Sequence, residues 1–197
     1  VHVLILGDGV TSRNDSKTEK DLGKYAERNL AAETANKILG STSLTLLALP
    51  DNRMDSLDLL DVVKIIESFI EEHQPSTVLT HHAGDVNIDH RVVHDAVIVA
   101  CRPLPESCVR ELLFFEIASS TEWRPPASAL MFNPNFFINI SAHMDTKLRA
   151  LAAYKEELRA FPHPRSLQAV TSLAQWRGAS IGVDAAEAFV LGRKIVS

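Results

Sequence analysis

The chain is poor in the features that mark secreted, membrane-spanning and nucleic-acid-binding proteins. Its 197 residues contain only two cysteines, Cys101 and Cys108. Two thiols do not make a disulfide framework, and they fit a reducing compartment, so we expect a cytoplasmic protein. No apolar run approaches the roughly 18 residues of a membrane span, and no signal peptide is visible. The net charge of −5 argues against a nucleic-acid partner, because surfaces that bind nucleic acid are normally basic.

What remains is the composition of an ordinary globular protein. Hydrophobic residues make up 46% of the chain and charged residues 23%, which are values typical of folded domains. No internal repeat, low-complexity tract or linker interrupts the sequence. The length therefore predicts a single domain over residues 1–197, with a substantial core.

Apolar runs and amphipathic stretches alternate through the first half of the chain. The pattern predicts strands at residues 1–6, 43–49, 76–80 and 109–117. It predicts helices at residues 20–39, 56–72 and 89–101, the second capped by Asp55 or Ser56. This order is typical of an α/β fold with a mainly parallel sheet and helices on both faces.

The second half is less regular, and we expect an irregular C-terminal part. Pro125, Pro126 and Pro134 indicate a loop. A short strand is predicted at residues 136–140 and a last one at 186–190. Helices are predicted at residues 144–160 and 166–177, the second ending at Gly178.

The most informative segment is HHAGDVNIDH, residues 81–90. It places three histidines, two aspartates and an asparagine between a predicted strand and a predicted helix. Ligands of open α/β sheets bind outside the carboxyl ends of the strands. Histidine can bind a metal, and aspartate can act as an oxygen ligand or a base. The plain alternative is a polar loop in which Asp89 caps the helix, but six such side chains in ten residues favour a functional site.

The same segment resembles a signature of the PIG-L/LmbE family, zinc-dependent deacetylases of N-acetylated sugars and sugar conjugates. The matching pattern is H-x-G-D-x-N-x-D-H, formed by His82, Gly84, Asp85, Asn87, Asp89 and His90. Further matches follow in order along nearly the whole chain: GDGVTSR from Gly7, LPDNRMD from Leu49, FEIASSTEW from Phe115, FNPNFFINIS from Phe132 and HPRS from His163. The resemblance implies a Rossmann-like fold and a metal-dependent amidohydrolase.

One departure from the family is serious. The family's first signature, H-P-D-D-E, supplies a zinc-binding His and Asp and an aspartate base, and it does not occur in these residues. The opening VHVLILG resembles the family's second strand, so the domain looks as if its first strand is missing. A truncated sequence, a mis-started reading frame and a degenerate paralogue all remain open. We expect the chain by itself to be inactive. The alternative function is a non-catalytic sugar- or nucleotide-binding relative that has lost the metal.

The resemblance also implies roles for individual residues. His90 is the expected ligand of zinc or another divalent metal. Asp89 is expected to orient a catalytic imidazole, and Asn87 to stabilise the oxyanion where many relatives have His. Arg28 is an expected substrate-binding residue by the same resemblance. The positions of the other candidates, in loops or near strand ends, make them expected substrate-binding residues too: Arg13, Arg53, His82, Asp85, Glu116 and His163. The implied partner is a small N-acetylated sugar, with neither nucleic acid nor membrane, and homo-oligomerisation is left open.

Some of these residues also have plain explanations. Arg13 and His163 can be exposed loop residues, and Arg53 lies in a segment that can be turn and cap chemistry. Arg28 carries only part of the family's pattern, because Ala31 stands where the family often has Glu. The G-x-G at Gly7 and Gly9 lacks the third glycine of a dinucleotide-binding turn, since position 12 is Ser12.

Overall fold

The computed structural model describes residues 1–10, 19–125 and 130–196, apart from the side chains of residues 19–22. Its strands are β1 (His2–Gly7), β2 (Ser43–Leu49), β3 (Thr77–His81), β4 (Glu111–Phe115), β5 (Phe136–Asn139) and β6 (Ala186–Lys194). Its α-helices are α1 (Glu19–Leu39), α2 (Leu59–His73), α3 (Ile88–Ala100), α4 (Met144–Ala152) and α5 (Leu167–Ala179). Short 3-10 turns lie at Met54–Ser56 and Ser141–His143. None of the helices in these ranges has the length and apolar content needed to cross a bilayer.

The chain divides into two compact units. The first unit contains Val1–Arg53 and Asn139–Ala186, and the second contains Met54–Ile138 and Glu187–Ser197. Each unit has a sheet of its own. The expectation of one domain over the whole length stays a prediction.

In the first unit, β1 and β2 form a parallel pair, with His2 opposite Ser43 and Gly7 opposite Leu49. The apolar residues of both strands fit buried parallel pairing. Just after β1, the backbone N–H of Asp8 donates to the carbonyl of Leu49 (3.0 Å), which extends the pairing by one bond. Helix α1 packs against α4 and β2.

The C-terminal part of the first unit corrects two predictions about helix ends. Helix α4 ends at Ala152 instead of residue 160, and turns follow it. Helix α5 continues through Gly178 to Ala179, so Gly178 does not end it. A Cβ at Gly178 would lie 2.6 Å from the carbonyl oxygen of Val183 and 2.7 Å from the backbone of Ala185. The glycine is therefore explained by close packing and not by helix termination.

The second unit contains a four-stranded sheet in the order β3-β4-β6-β5. Strands β3 and β4 are parallel, with Thr77 opposite Glu111 and His81 opposite Phe115. Strand β6 runs antiparallel to β4. Helices α2 and α3 pack on each other, and α3 also packs on β3. The buried apolar side chains of these elements include Val62, Val63, Ile66, Ala96, Val97, Leu112 and Leu113.

The predicted mixed α/β fold is confirmed, and every predicted strand and helix has a counterpart. The described strands form two sheets, whereas the pattern predicted one. Strand β6 runs to Lys194, beyond the predicted residue 190, since it pairs along the whole of β4. Helix α2 begins only at Leu59, after a separate 3-10 turn, and its N-cap is Asp58 instead of Asp55 or Ser56.

Candidate active site

The HHAGDVNIDH segment lies where the sequence predicts it, between the carboxyl end of β3 and the first turn of α3. Asn87 is the N-cap of α3, with extended backbone angles, and its side-chain oxygen accepts a hydrogen bond from the N–H of Asp89 (2.8 Å). The proposal that Asp89 caps this helix is therefore wrong. The amide Nδ2 of Asn87 takes no part in the capping bond, so it is a donor that a ligand can use.

Asp89 links α3 to the 3-10 turn at Met54–Ser56. Its carboxylate accepts a hydrogen bond from the backbone N–H of Met54 (3.0 Å), and the residue is 5% exposed. A negative charge in the first turn of a helix also interacts favourably with the helix dipole. This placement explains why the acid is buried, while its role in orienting an imidazole stays a prediction.

Asp85 is fully enclosed by hydrogen-bond donors. It has no exposed surface. One carboxylate oxygen accepts from the N–H of Asn87 (2.8 Å) and from the hydroxyl of Ser120, and the other accepts from the hydroxyl of Thr121 (2.9 Å). Burial by itself raises the pKa of Asp85, but hydrogen bonds from His90, Ser120 and Asn87 outweigh it and lower the pKa to about 2. The group is thus an ionised carboxylate inside the protein.

This enclosure corrects the expectation that Asp85 contacts the substrate. Both of its oxygens are occupied by groups of the protein, and no surface of the residue reaches the solvent. Its place is beneath the site, beside His90.

His90 lies in the first turn of α3 between a carboxylate and another imidazole. Its Nδ1 is buried and lies 3.1 Å from Oδ1 of Asp85, and its side chain is 20% exposed. Its ring stacks on the ring of His81, with centroids 4.2 Å apart and planes 14° apart. Burial, together with the nearby His90, lowers the pKa of His81 to about 3. His81 is therefore a neutral ring that packs against the candidate ligand.

The other two histidines of this region are also buried. His82 accepts a hydrogen bond at Nδ1 from the N–H of Gly84 (3.0 Å), its ring contacts Phe132, and burial lowers its pKa. His94, one turn after His90, donates from Nδ1 to the carbonyl of His81 (2.8 Å). His94 thus ties α3 to the end of β3. A substrate contact for His82 stays a prediction.

The structure adds Ser120 and Thr121, which the sequence reading did not single out. Both lie in the loop after β4 and are buried. Glu116, an expected substrate-binding residue, directly follows β4 and is half-buried. Because β3 and β4 are parallel neighbours, their carboxyl ends meet at the same edge of the sheet. The FEIASSTEW motif places Ser119, Ser120 and Thr121 just after β4. The rule that neighbouring parallel strands end at the same edge could therefore have predicted that these hydroxyls lie near the site.

Three further expected substrate-binding residues, Arg28, Arg53 and His163, belong to the first unit. Arg28 of α1 donates to the carbonyl of Gly9 and forms an ion pair with Glu157, which also pairs with Arg165 (2.5 Å). His163 accepts a hydrogen bond from the N–H of Arg165 (3.1 Å). Arg53 is exposed, and Arg13 lies outside the described residues. For these residues, contact with a substrate stays a prediction.

The described residues do not by themselves fit a zinc site. A catalytic zinc is held by three protein ligands and keeps an open position. Within residues 1–10, 19–125 and 130–196, no group of three or more His, Cys, Asp or Glu side chains is placed to hold a metal. His90 and the neutral His81 are nitrogen donors of the right kind, but they do not complete a ligand set.

Comparison with known proteins identifies the class to which this fold and site belong. Residues 1–101, just over half of the chain, match the profile of the PIG-L family, described as GlcNAc-PI de-N-acetylase. This match includes the whole HHAGDVNIDH segment. The chain therefore belongs to the PIG-L family, a family of deacetylases, and the resemblance seen in its motifs is confirmed.

Individual relatives agree with this assignment. The uncharacterized deacetylase YaiS of Escherichia coli (strain K12) is 31% identical over 135 residues, which are 66% of this chain and 65% of YaiS. The chain thus spans just under two thirds of that relative. The N,N'-diacetylchitobiose deacetylase of Pyrococcus horikoshii has a TM-score of 0.72 at 17% identity, over 98% of this chain and 72% of the other.

A further solved structure, the zinc-inhibited form of teicoplanin deacetylase Orf2, has a TM-score of 0.73 at 15% identity, over 100% of this chain and 88% of the other. At such identities the two solved structures establish the shared fold.

Proposed function

We propose that the chain is part of a hydrolase that removes acetate from an N-acetylated amino sugar or sugar conjugate. The observation that carries this proposal is the pair of Asp85 and His90 at the carboxyl end of β3, with their separation of 3.1 Å, in a chain of the PIG-L family. The deacetylase names of YaiS and the chitobiose enzyme support the same reaction class. In this reaction water adds to the acetamide carbonyl, the C–N bond breaks, and acetate and a free amine leave.

Asn87 and His90 are the residues proposed to act on the acetamide. The Nδ2 group of Asn87 can donate a hydrogen bond to the carbonyl oxygen as it becomes negatively charged, which is where fixed donors stabilise a transition state most. An amide cannot supply a proton, so the amine must take its proton from another group. His90 presents an imidazole, whose unprotonated nitrogen can serve as a ligand or accept a proton.

We propose zinc or another divalent metal as the cofactor, with His90 as one of its ligands. Such an ion supplies Lewis-acid activation of a carbonyl and of bound water. Two further protein ligands are needed in addition to His90, and the described residues do not complete such a set. We therefore propose that residues 1–197 alone bind zinc weakly and do not turn over substrate.

The first test is an acetate-release assay on the protein as produced from its gene, with zinc present and a panel of N-acetylated sugars. We expect acetate from at least one sugar, and loss of that activity in His90→Gln, with the fold retained by circular dichroism. Silence across the panel would contradict the proposal. Zinc binding by residues 1–197 is measured in parallel by titration calorimetry. Tight stoichiometric binding with turnover would show that these residues build a complete site.

A second candidate function is sugar binding without catalysis. It is favoured by one observation, that no three-ligand group occurs in the described part of the chain. Calorimetry with N-acetylglucosamine separates the two functions. Saturable binding together with no acetate release, at any zinc concentration, would favour the binding protein.

A further inference from the structure

Asp85 is an unusual group to find inside a small unit. A carboxyl group without any exposed surface is unfavourable unless its oxygens are hydrogen-bonded. A local turn does not explain why Asp85 is buried. The turn needs only the bond from the N–H of Asn87 to one oxygen, and that bond can form on the surface. The hydroxyls of Ser120 and Thr121 come from a loop 35 and 36 residues away along the chain. The fold thus brings distant donors to one carboxylate.

A fourth polar group lies beside the same carboxylate. A carboxylate has about four lone-pair sites. Three of them accept from the N–H of Asn87 and the hydroxyls of Ser120 and Thr121. Nδ1 of His90 is buried and lies 3.1 Å from Oδ1, the oxygen that also accepts from Asn87 and Ser120, and it has no other partner among the described residues.

The loop that carries the hydroxyls is itself held in place. The hydroxyl oxygen of Thr121 accepts from the N–H of Ile117 (2.8 Å), so its single proton is free to point at Asp85. The carboxylate of Glu122 accepts from the N–H groups of Ser119 (2.6 Å) and Ser120 (3.2 Å). The donors therefore reach Asp85 from a fixed turn.

The chemistry of the facing atoms then selects one form of His90. A neutral imidazole has one protonated nitrogen and one nitrogen with a lone pair. Oδ1 of Asp85 already accepts from the N–H of Asn87 and the hydroxyl of Ser120, so it faces Nδ1 as an acceptor. A proton on Nδ1 therefore gives an attractive contact, and a lone pair there gives repulsion. The ring of His81 stacks on one face of the His90 ring and hinders a flip of that ring about its Cβ–Cγ bond. Nε2 is then left with the lone pair.

We propose that Asp85, held by Ser120 and Thr121, is a positioning residue that keeps His90 in the Nδ1–H form with the lone pair on Nε2. This inference rests on the proposed function, in which His90 acts as a ligand or a proton acceptor. It assigns a role to the turn formed by Ser119, Ser120 and Thr121, which links the end of β4 to the candidate active site. Such partners of an active histidine typically change metal affinity or activity by roughly 10- to 100-fold when removed.

The direct test is a long-range ¹H–¹⁵N correlation spectrum of the histidine rings in the wild-type protein at about pH 8, where an ordinary imidazole is neutral. His90→Gln identifies the His90 signals among the eight histidines. We expect a protonated Nδ1 and an unprotonated Nε2. An Nε2–H form of His90 in the wild-type protein would overturn the inference, whatever any variant does.

Variants then test whether Asp85 is the cause. In Asp85→Ala the acceptor is gone, and we expect signals of the Nε2–H form to appear. Asp85→Asn keeps an oxygen that can accept from Nδ1, and we expect it to restore the Nδ1–H form. Asp95→Ala, which removes an exposed carboxylate from the same helix, is the matched control and should change nothing. A folded Asp85→Ala protein that keeps the wild-type form would also overturn the inference.

The activity arm separates this inference from the proposed function. If the protein releases acetate, Asp85→Ala should lower kcat by roughly 10- to 100-fold with KM nearly unchanged, because Asp85 does not touch the substrate. The expected ring form without any acetate release would retain the inference and contradict the proposed function. Acetate release by a protein whose His90 is in the Nε2–H form would retain the proposed function and contradict the inference.

Discussion

Each unit of the molecule contains a carboxylate held by several donors, but the two differ in burial and in the kind of donor. Asp85 has no exposed surface and is surrounded by two hydroxyls, a backbone N–H and an imidazole. Glu157 is 26% exposed and lies between the guanidinium groups of Arg28 and Arg165. A buried carboxylate with mostly neutral donors keeps its charge available to a neighbour, here His90. A partly exposed carboxylate between two cations is neutralised locally and screened by water. The surroundings of Asp85 therefore suit the orientation of a reactive side chain. The surroundings of Glu157 suit a structural ion pair that holds separate segments of the chain together.

The largest effect should come from removing Asp85, with removal of Glu157 as the comparison. Asp85→Ala leaves two buried hydroxyls and a backbone N–H without an acceptor, so we expect a loss of about 3–5 kcal/mol in the free energy of unfolding. Glu157→Ala should cost about 1 kcal/mol or less, because water screens a pair in which Arg165 is 37% exposed. Urea denaturation of both variants measures the difference. Equal losses would show that burial does not distinguish the two carboxylates.

The pH dependence of stability should show the neutral state of His81. Its pKa is lowered from 6.5 to about 3 in the folded protein. Between these values the unfolded chain binds a proton that the folded protein does not, so stability falls as the pH drops from about 6.5 towards 3. We expect part of this loss to disappear in His81→Gln. Urea denaturation across this pH range is the measurement, and His143→Gln, at an exposed position, is the control. An unchanged pH profile in His81→Gln would contradict the prediction.

Smaller effects than the loss of Asp85 should come from two glycines that differ in their surroundings. A Cβ at Gly84 would lie 2.0 Å from the backbone oxygen of Leu130, so Gly84→Ala must displace a loop and should cost about 1–3 kcal/mol. Gly23 of α1 has no atom within 4 Å of the same position. Gly23→Ala should therefore stabilise by about 0.5–1 kcal/mol through its helix propensity. Thermal unfolding of the two variants should shift in opposite directions, and shifts of the same sign would contradict the packing at Gly84.

Much of the local structure could be predicted from patterns of few residues. Apolar runs located the six strands of the described residues, because a buried strand needs a continuous row of apolar side chains. The polar segment at residues 81–90 located the candidate site, because burying so many polar side chains costs free energy unless they are hydrogen-bonded or bind a ligand. The ends of elements were less predictable. The cap of α3 is Asn87 and not Asp89, since both residue types are good caps and only the backbone angles decide between them.

The sequence by itself determined the mixed α/β fold, the order of its elements, the position of the polar cluster after β3 and the resemblance to the PIG-L family, because these follow from residue type and spacing along the chain. Only the tertiary structure decided that Asp85 is enclosed and not open to a substrate, and that Ser120 and Thr121 reach it from the next strand. It also decided that the strands divide into two sheets and that Gly178 serves packing. The physical reason is that burial, hydrogen-bond partners and close backbone contacts depend on which segments meet in space. Residues 35 positions apart carry no local signal that they share one carboxylate.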